Sequence, residues 1–217
     1  MYKIIDGKLI ASEMRDKLKK DIAEYKLNSG KDIGLAVVLV GENPASQVYV
    51  RNKIKACEEV GIKSYAYYLP AETSQNEVED LLASLAEDGN VNGILVQLPL
   101  PKQINSESAL RLIPESKDVD GFSANNIGKL CLNSQSLVAC TPYGVMKMLE
   151  HERIELCGKN AVVVGRSNIV GKPMAMLLIN ADATVTVCHS KTKNLKEQCL
   201  KADVLVAAIG KAKFITA

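Results

Sequence analysis

Apolar positions along this chain follow two rhythms, one near helical spacing and one of short unbroken bursts, and the two alternate. Leu9, Met14, Leu18, Ile22 and Tyr25 recur close to helical spacing and predict a first helix. A β-rich apolar run over residues 33–40 ends in Gly41. A helical stretch follows over 44–60, where Pro44 suits a first turn. Residues 63–69 read as a strand, 76–85 as a helix, and 93–98 as a strand closed by the Pro99-Leu100-Pro101 turn. A short helix over 106–113 completes this half. The order βαβαβ predicts a parallel sheet with helices on its faces.

After a connector over 137–141, Pro142 can begin a helix running to about Glu152. A second βαβαβ series then starts, with strands at 160–164, 183–188 and 204–208 and helices at 174–179 and 195–201. That is the half-sheet of a nucleotide-binding fold. The expected fold class is therefore α/β: an N-terminal parallel-sheet αβα domain over residues 1–138, then a Rossmann-like domain over 139–217 that lacks its C-terminal part.

Composition narrows the function classes. The 217 residues are 47% hydrophobic and 24% charged, ordinary for a globular chain and enough to bury a core without disulfides or metal. The longest strongly apolar run, 35–40, is too short to span a membrane, so no membrane partner is expected. The opening Met-Tyr-Lys-Ile-Ile-Asp-Gly shows no secretory pattern, which points to the cytoplasm. A net charge of +2 comes from 27 basic and 25 acidic residues with the signs interspersed. No basic cluster with aromatics stands out, so nucleic acid is excluded as a partner. Six scattered cysteines without C-x-x-C read as reduced thiols packed as small hydrophobes. With His151 and His189 the only histidines, no metal site is expected.

Several segments carry candidate chemistry. Val164-Gly165-Arg166-Ser167-Asn168-Ile169-Val170-Gly171-Lys172-Pro173 lies between a strand and a helix, where backbone N–H groups can receive a phosphate. It fails the P-loop spacing, and Ser167 stands where G-x-G-x-x-G has its second glycine. A tight turn without a ligand would have the same pattern. The next strand ends Cys188-His189-Ser190-Lys191 with no acid for a ribose 2′-hydroxyl; Ser190 with Arg166 and Lys191 suits a 2′-phosphate, favouring NADP over NAD. Ser46, Tyr49 and Lys53 lie at i, i+3 and i+7, on one helical face. A lysine between apolar walls can lose basicity and move protons near neutral pH, although a half-buried tyrosine beside a snorkelling lysine fits the spacing too. Gln97 ends a buried strand, where ligands of open parallel sheets collect, and Asp118 and Asp120 sit at a turn.

Taken in order, these segments resemble one family, the bifunctional methylenetetrahydrofolate dehydrogenase/cyclohydrolases. The matches are Val40-Gly41 with Ser46, Tyr49 and Lys53; Gln97-Leu98-Pro99-Leu100-Pro101; Lys117-Asp118-Val119-Asp120-Gly121-Phe122; Cys140-Thr141-Pro142; Gly165-Arg166-Ser167 through Pro173; and Cys188-His189-Ser190-Lys191-Thr192. They cover essentially the whole chain.

The resemblance implies oxidation of 5,10-methylenetetrahydrofolate with NADP, then hydrolysis of the methenyl product to 10-formyltetrahydrofolate. It makes Lys53 the central catalytic residue, with Gln97 orienting it, Tyr49 packing on the folate, and Asp120 accepting hydrogen bonds from the pterin. Ser46, Pro99 and Leu100 would border the substrate. Gly165, Arg166, Ser167 and Gly171 would hold the cofactor, with Ser190 near its 2′-phosphate and Thr141 near the nicotinamide. A homodimer is also implied. Family members continue past this end with more of the Rossmann sheet, a P-G-G-V-G-P segment and a final helix, so a C-terminally truncated chain with weakened NADP binding is expected. Two other readings stand beside it: a shikimate-dehydrogenase-like NADP reductase, and a non-catalytic folate- or nucleotide-binding truncated homologue.

Overall fold

Every strand expected from the apolar bursts is present in the computed structural model, which describes residues 2–216; the outermost domain limits, Met1 and Ala217, lie outside the described residues. The elements in chain order are α1 (Gly7–Ser29), β1 (Gly34–Val40), α2 (Pro44–Val60), β2 (Lys63–Leu69), α3 (Gln75–Glu87), β3 (Gly93–Val96) and α4 (Ser106–Leu110). A 3₁₀ turn at Glu115–Lys117 precedes α5 (Ala124–Cys131), α6 (Cys140–His151), β4 (Asn160–Val164), α7 (Gly171–Asn180), β5 (Thr184–Cys188), α8 (Leu195–Leu200) and β6 (Val204–Ala207).

The strands form two parallel sheets, ordered β2-β1-β3 and β5-β4-β6. β1 pairs Gly34 with Lys63 and Leu35 with Gly93; β4 pairs Asn160 with Thr184 and Ala161 with Val204. Each central strand is covered on both faces, which is why its sequence is an unbroken apolar run. In β1, Ala36, Val38 and Val40 join Val78, Leu82 and Leu85 of α3. Val37 and Leu39 point the other way, to Val50 and Ile54 of α2. β4 splits likewise: Ala161 and Val163 pack with Met174, Ala175 and Leu178 of α7, and Val162 and Val164 with Leu195 and Cys199 of α8.

Local signals set the helix ends. Asn43 Oδ1 accepts the Ser46 N–H to open α2, and Gly61, at φ +88°, closes it by donating to the Cys57 and Glu58 carbonyls. Ser74 and Glu77 form a reciprocal capping box on α3.

The chain divides into two units, Asp6–Val119 and the chain from Asp120 onward with residues 2–5. The second unit begins earlier than the 138/139 boundary read from the pattern. The segment between carries α5, which that reading left without an element, and Asn180 Nδ2 of α7 donates to its Leu130 carbonyl at 2.8 Å. α5 is only eight residues long and holds two asparagines and Gly128, poor helix formers, so its helix preference is weak. Its start is a side-chain cap, Ser123 Oγ accepting the Asn126 N–H. Lys3 ties residues 2–5 to Glu152 just after α6.

Two expectations change. Leu9, Met14, Leu18 and Tyr25, which mark α1 in the sequence, are exposed; Ile10 and Ile22 are its buried residues, because α1 packs against α2 along another stripe. Of the six cysteines, Cys57 and Cys188 are buried and Cys199 is half-buried, whereas Cys131, Cys140 and Cys157 are exposed.

Candidate active site

The α2 residues Ser46, Val50, Lys53, Cys57 and Val60 follow the helical repeat on one side, and all but Lys53 are buried. Lys53 is half-buried on this stripe, a charge at the margin of an apolar face. Its Nζ donates to Gln97 Oε1 at 3.1 Å. Gln97 follows β3 directly, and its N–H donates to the Val38 carbonyl at 2.8 Å, so the central strand β1 fixes its backbone. Its Nε2 donates to the Leu98 carbonyl at 2.8 Å. With the amide nitrogen engaged there, the amide oxygen is turned to the lysine. The Leu98–Pro99 peptide is cis, Pro99 is exposed and Leu100 is half-buried against the core. One turn before Lys53, Tyr49 is 61% exposed, and Ser46, a turn earlier again, is 3% exposed. The spacing that placed the three on one face thus spreads them from core to solvent, with Lys53 between.

Asp120 is half-buried and is the first residue of the second unit. Gly121 behind it has φ +65°, and a Cβ there would lie 2.6 Å from the Leu137 carbonyl oxygen, so only glycine permits this turn.

In the second unit the glycine loop starts where β4 ends. Gly165 is buried at φ +129°, its N–H donates to the Cys188 carbonyl at 2.8 Å, and a Cβ would lie 2.3 Å from the Ala208 carbonyl oxygen. The ends of β4, β5 and β6 therefore converge on this residue. Gly171 closes the loop from the α7 side, with its Cβ position 2.3 Å from the Gly165 carbonyl oxygen. Ser167 caps α7 from within: its Oγ accepts the Val170 and Gly171 N–H groups at 3.2 Å, and its carbonyl accepts Lys172 N–H at 3.0 Å. These first-turn N–H groups, expected from the sequence to face a phosphate, are engaged by the loop itself.

Arg166 is exposed beside Ser167, and Ser190 and Lys191 are exposed after β5. Thr192, a matched residue with no role read from the sequence, shapes that second loop: its Oγ1 accepts the His189 N–H at 2.8 Å, and His189 Nδ1 accepts the Lys191 N–H at 3.1 Å. A serine or threonine four residues after a strand end, three past the residue whose N–H it accepts, is the turn signal that could have found it. Thr141, placed in a connector by the sequence reading, is an exposed residue in the first turn of α6. Glycines without room for a Cβ, hydroxyls and exposed cations, with no acid at the end of β5, form a donor set suited to a nucleotide carrying an extra phosphate.

Comparison with known proteins identifies both halves. Residues 5–120 match the family model of the tetrahydrofolate dehydrogenase/cyclohydrolase catalytic domain, and residues 139–217 match the model of its NAD(P)-binding domain. The chain belongs to the tetrahydrofolate dehydrogenase/cyclohydrolase family. It is 51% identical over its whole length to the bifunctional protein FolD of Agathobacter rectalis, covering 77% of that relative. Against the FolD of Moorella thermoacetica it is 54% identical, covering 98% of this chain and 76% of the relative. The crystal structure of the bifunctional FolD of Campylobacter jejuni superposes with a TM-score of 0.95 at 47% identity, covering 98% of this chain and 76% of that one. A Trypanosoma brucei FolD, complexed with NADP cofactor and inhibitor, gives 0.92 at 36% identity, with 96% and 72% covered. The tetrahydrofolate family is thereby favoured over the shikimate-dehydrogenase-like alternative. The two family models leave residues 121–138, which carry α5, between them. Among the described residues no helix is long and apolar enough to cross a membrane.

Proposed function

We infer that this chain is an enzyme of one-carbon folate metabolism, a methylenetetrahydrofolate dehydrogenase and methenyltetrahydrofolate cyclohydrolase that uses NADP. Family membership supports the enzyme class. The observation that carries the chemistry is the Lys53–Gln97 hydrogen bond at the carboxyl end of β3.

In the first reaction the methylene carbon of 5,10-methylenetetrahydrofolate loses a hydride and becomes the 5,10-methenyl cation. NADP, when bound, supplies the hydride acceptor. Gly165, Arg166, Ser167 and Gly171 would surround its phosphates, Ser190 and Arg166 its 2′-phosphate, and Thr141 would border the nicotinamide. The Trypanosoma relative, solved with NADP, supports that choice.

In the second reaction water adds to the methenyl carbon, the bond from that carbon to N5 breaks, and 10-formyltetrahydrofolate and a proton result. The water oxygen must lose protons and N5 must gain one. Lys53 Nζ uses one of its three donors on Gln97, which leaves two directions for the reacting oxygen and nitrogen. It gives a proton to the departing nitrogen and recovers one from the added water. Gln97 keeps the ammonium on a defined line, because both ends of its amide are engaged. The exposed ring of Tyr49 would pack on the folate, Ser46, Pro99 and Leu100 would border it, and the Asp120 carboxylate would accept from the amino-pyrimidine edge.

By these roles residues 1–138 form the folate-binding catalytic domain and 139–217 the NADP-binding domain. A homodimer in the cytoplasm completes the reading. A non-catalytic folate-binding homologue is disfavoured because Lys53 and Gln97 are both present and bonded.

The test follows the absorbance of 5,10-methenyltetrahydrofolate with the wild-type chain, Lys53→Ala, Gln97→Leu and a buffer blank. The wild type should accelerate its decay, and Lys53→Ala should lose at least about 10²-fold of that, the usual share of a positioned proton donor. Gln97→Leu should fall between them. Decay at the blank rate with wild-type protein, or undiminished hydrolysis by a folded Lys53→Ala, sinks the assignment.

A further inference from the structure

The C-terminal turn of α3 carries no basic residue of its own, and the helix runs out into Glu87 and Asp88. That is an unfavourable end for a helix, whose last carbonyls already bear partial negative charge. The missing cation arrives from thirty residues downstream. Lys117 Nζ donates to the carbonyls of Leu85 at 3.2 Å, Ala86 at 2.7 Å and Asp88 at 2.8 Å. An ammonium has three donors and no acceptor, so this arrangement uses it completely.

The main chain of Lys117 is held as firmly. Its N–H donates to the Pro114 carbonyl at 2.8 Å, and its carbonyl accepts the Val119 N–H at 3.0 Å. Asp118 between them has φ −77° and ψ 78°, an inverse γ-turn. Asp118 is 5% exposed and forms a parallel bridge with Ile94 of β3. Val119 Cγ1 fills the space above Gly93, 2.4 Å from where a Cβ would stand. The chain reaches Asp120 one residue later. A cation that only neutralised the helix end could sit on α3 itself, whereas this one belongs to the turn that delivers Asp120.

We propose that Lys117 is a positioning residue for folate binding: its ammonium, seated among the last carbonyls of α3, sets the start of the turn that presents Asp120 to the pterin. The proposal rests on the reading of Asp120 as the acceptor for the amino-pyrimidine edge. Loss of the anchor shifts the start of the turn that carries the carboxylate, so the effect falls on folate affinity and not on the proton transfers at Lys53.

The experiment measures steady-state hydrolysis of 5,10-methenyltetrahydrofolate by the full chain as wild type, Lys117→Met, Asp120→Ala and the double variant. Lys117→Met should raise KM about tenfold while kcat stays within about twofold, the signature of lost binding that is equal in ground and transition states. Asp120→Ala should raise KM as well. The double variant should be no worse than Asp120→Ala alone, because Lys117 acts through that carboxylate. Additive increases would show a general structural role and overturn the proposal. A raised KM in Asp120→Ala with an unchanged KM in Lys117→Met overturns the positioning role alone. An unchanged KM in Asp120→Ala overturns the reading of Asp120 and the proposal with it. Should Lys117→Met not yield folded protein, Lys117→Gln, which keeps two N–H donors, carries the same comparison with a smaller rise in KM.

Discussion

The backbone approach at Gly171, as close as the one at Gly165, makes its own prediction. A methyl group at Gly171 would stand 2.3 Å from the Gly165 carbonyl oxygen, 2.6 Å from its carbon and 2.8 Å from Arg166 Cα. All three atoms are backbone, so no change of rotamer relieves the clash. Carbon–oxygen contacts settle near about 3.3–3.6 Å, so Gly171→Ala must drive the loop and α7 apart by about 1 Å. Overfilling a packed site by one methyl costs ~1–3 kcal/mol. At a central ~2 kcal/mol, a chain of this size loses roughly 4–8 °C in Tm. NADP affinity should fall about tenfold or more, because the displaced residues 165–170 are those proposed to surround its phosphates; tenfold corresponds to ~1.4 kcal/mol. Gly128 supplies the control. It lies inside α5 with nothing within 4 Å of its Cβ position. There the same substitution should raise stability by up to ~1 kcal/mol through helix preference alone. Thermal unfolding and calorimetric titration with NADP read both quantities. A Gly171→Ala protein with wild-type Tm and wild-type NADP affinity would refute the argument that close loop–helix packing requires this glycine.

Two further outcomes follow from ionisable groups. Asp32 is hydrogen-bonded by Lys26 and by Lys63, and these partners hold its carboxyl at about 2 instead of 3.8. A depressed carboxylate contributes stability above its unfolded value and loses it as pH falls through the folded one, so the urea midpoint of Asp32→Asn should lie below wild type near neutral pH and converge with it between about pH 4 and pH 2; a constant gap across that window contradicts the assignment. Burial pushes the Cys57 and Cys188 thiols up, while Cys131, Cys140 and Cys157 are exposed. Native protein treated with a thiol-specific disulfide reagent should label the exposed three first and the buried two only on unfolding, with mass spectrometry locating any early label that breaks the pattern.

Much of the architecture is local in origin and therefore readable before folding. The runs of β1 and β4 are continuous because both faces of each are covered, and α2 is bounded by Asn43-Pro44 before it and Gly61 after it. The glycine loop shows itself by its place between a strand and a helix. Periodicity misleads where little of a helix is buried. The apolar stripe of α1 is turned mostly to solvent, because which face of a helix is covered depends on the neighbour it meets. α5 is eight residues long with two asparagines and a glycine, so its composition does not announce a helix.

The chemistry divides in the same way. Residue types and their order along the chain were enough to name Lys53, Gln97, Asp120 and Gly165 as candidates and to indicate a nucleotide with a 2′-phosphate. Partnerships required the tertiary structure. Lys53 and Gln97 are forty-four positions apart and meet because β3 lies beside β1. Gly165 must be glycine because the carbonyl of Ala208, just past β6, comes within 2.3 Å of its Cβ position. Lys117 reads as an ordinary loop lysine until α3 places three carbonyls around it. Local propensity reaches only a few residues along the chain, whereas hydrogen bonds and steric exclusion act between whichever segments packing has brought together.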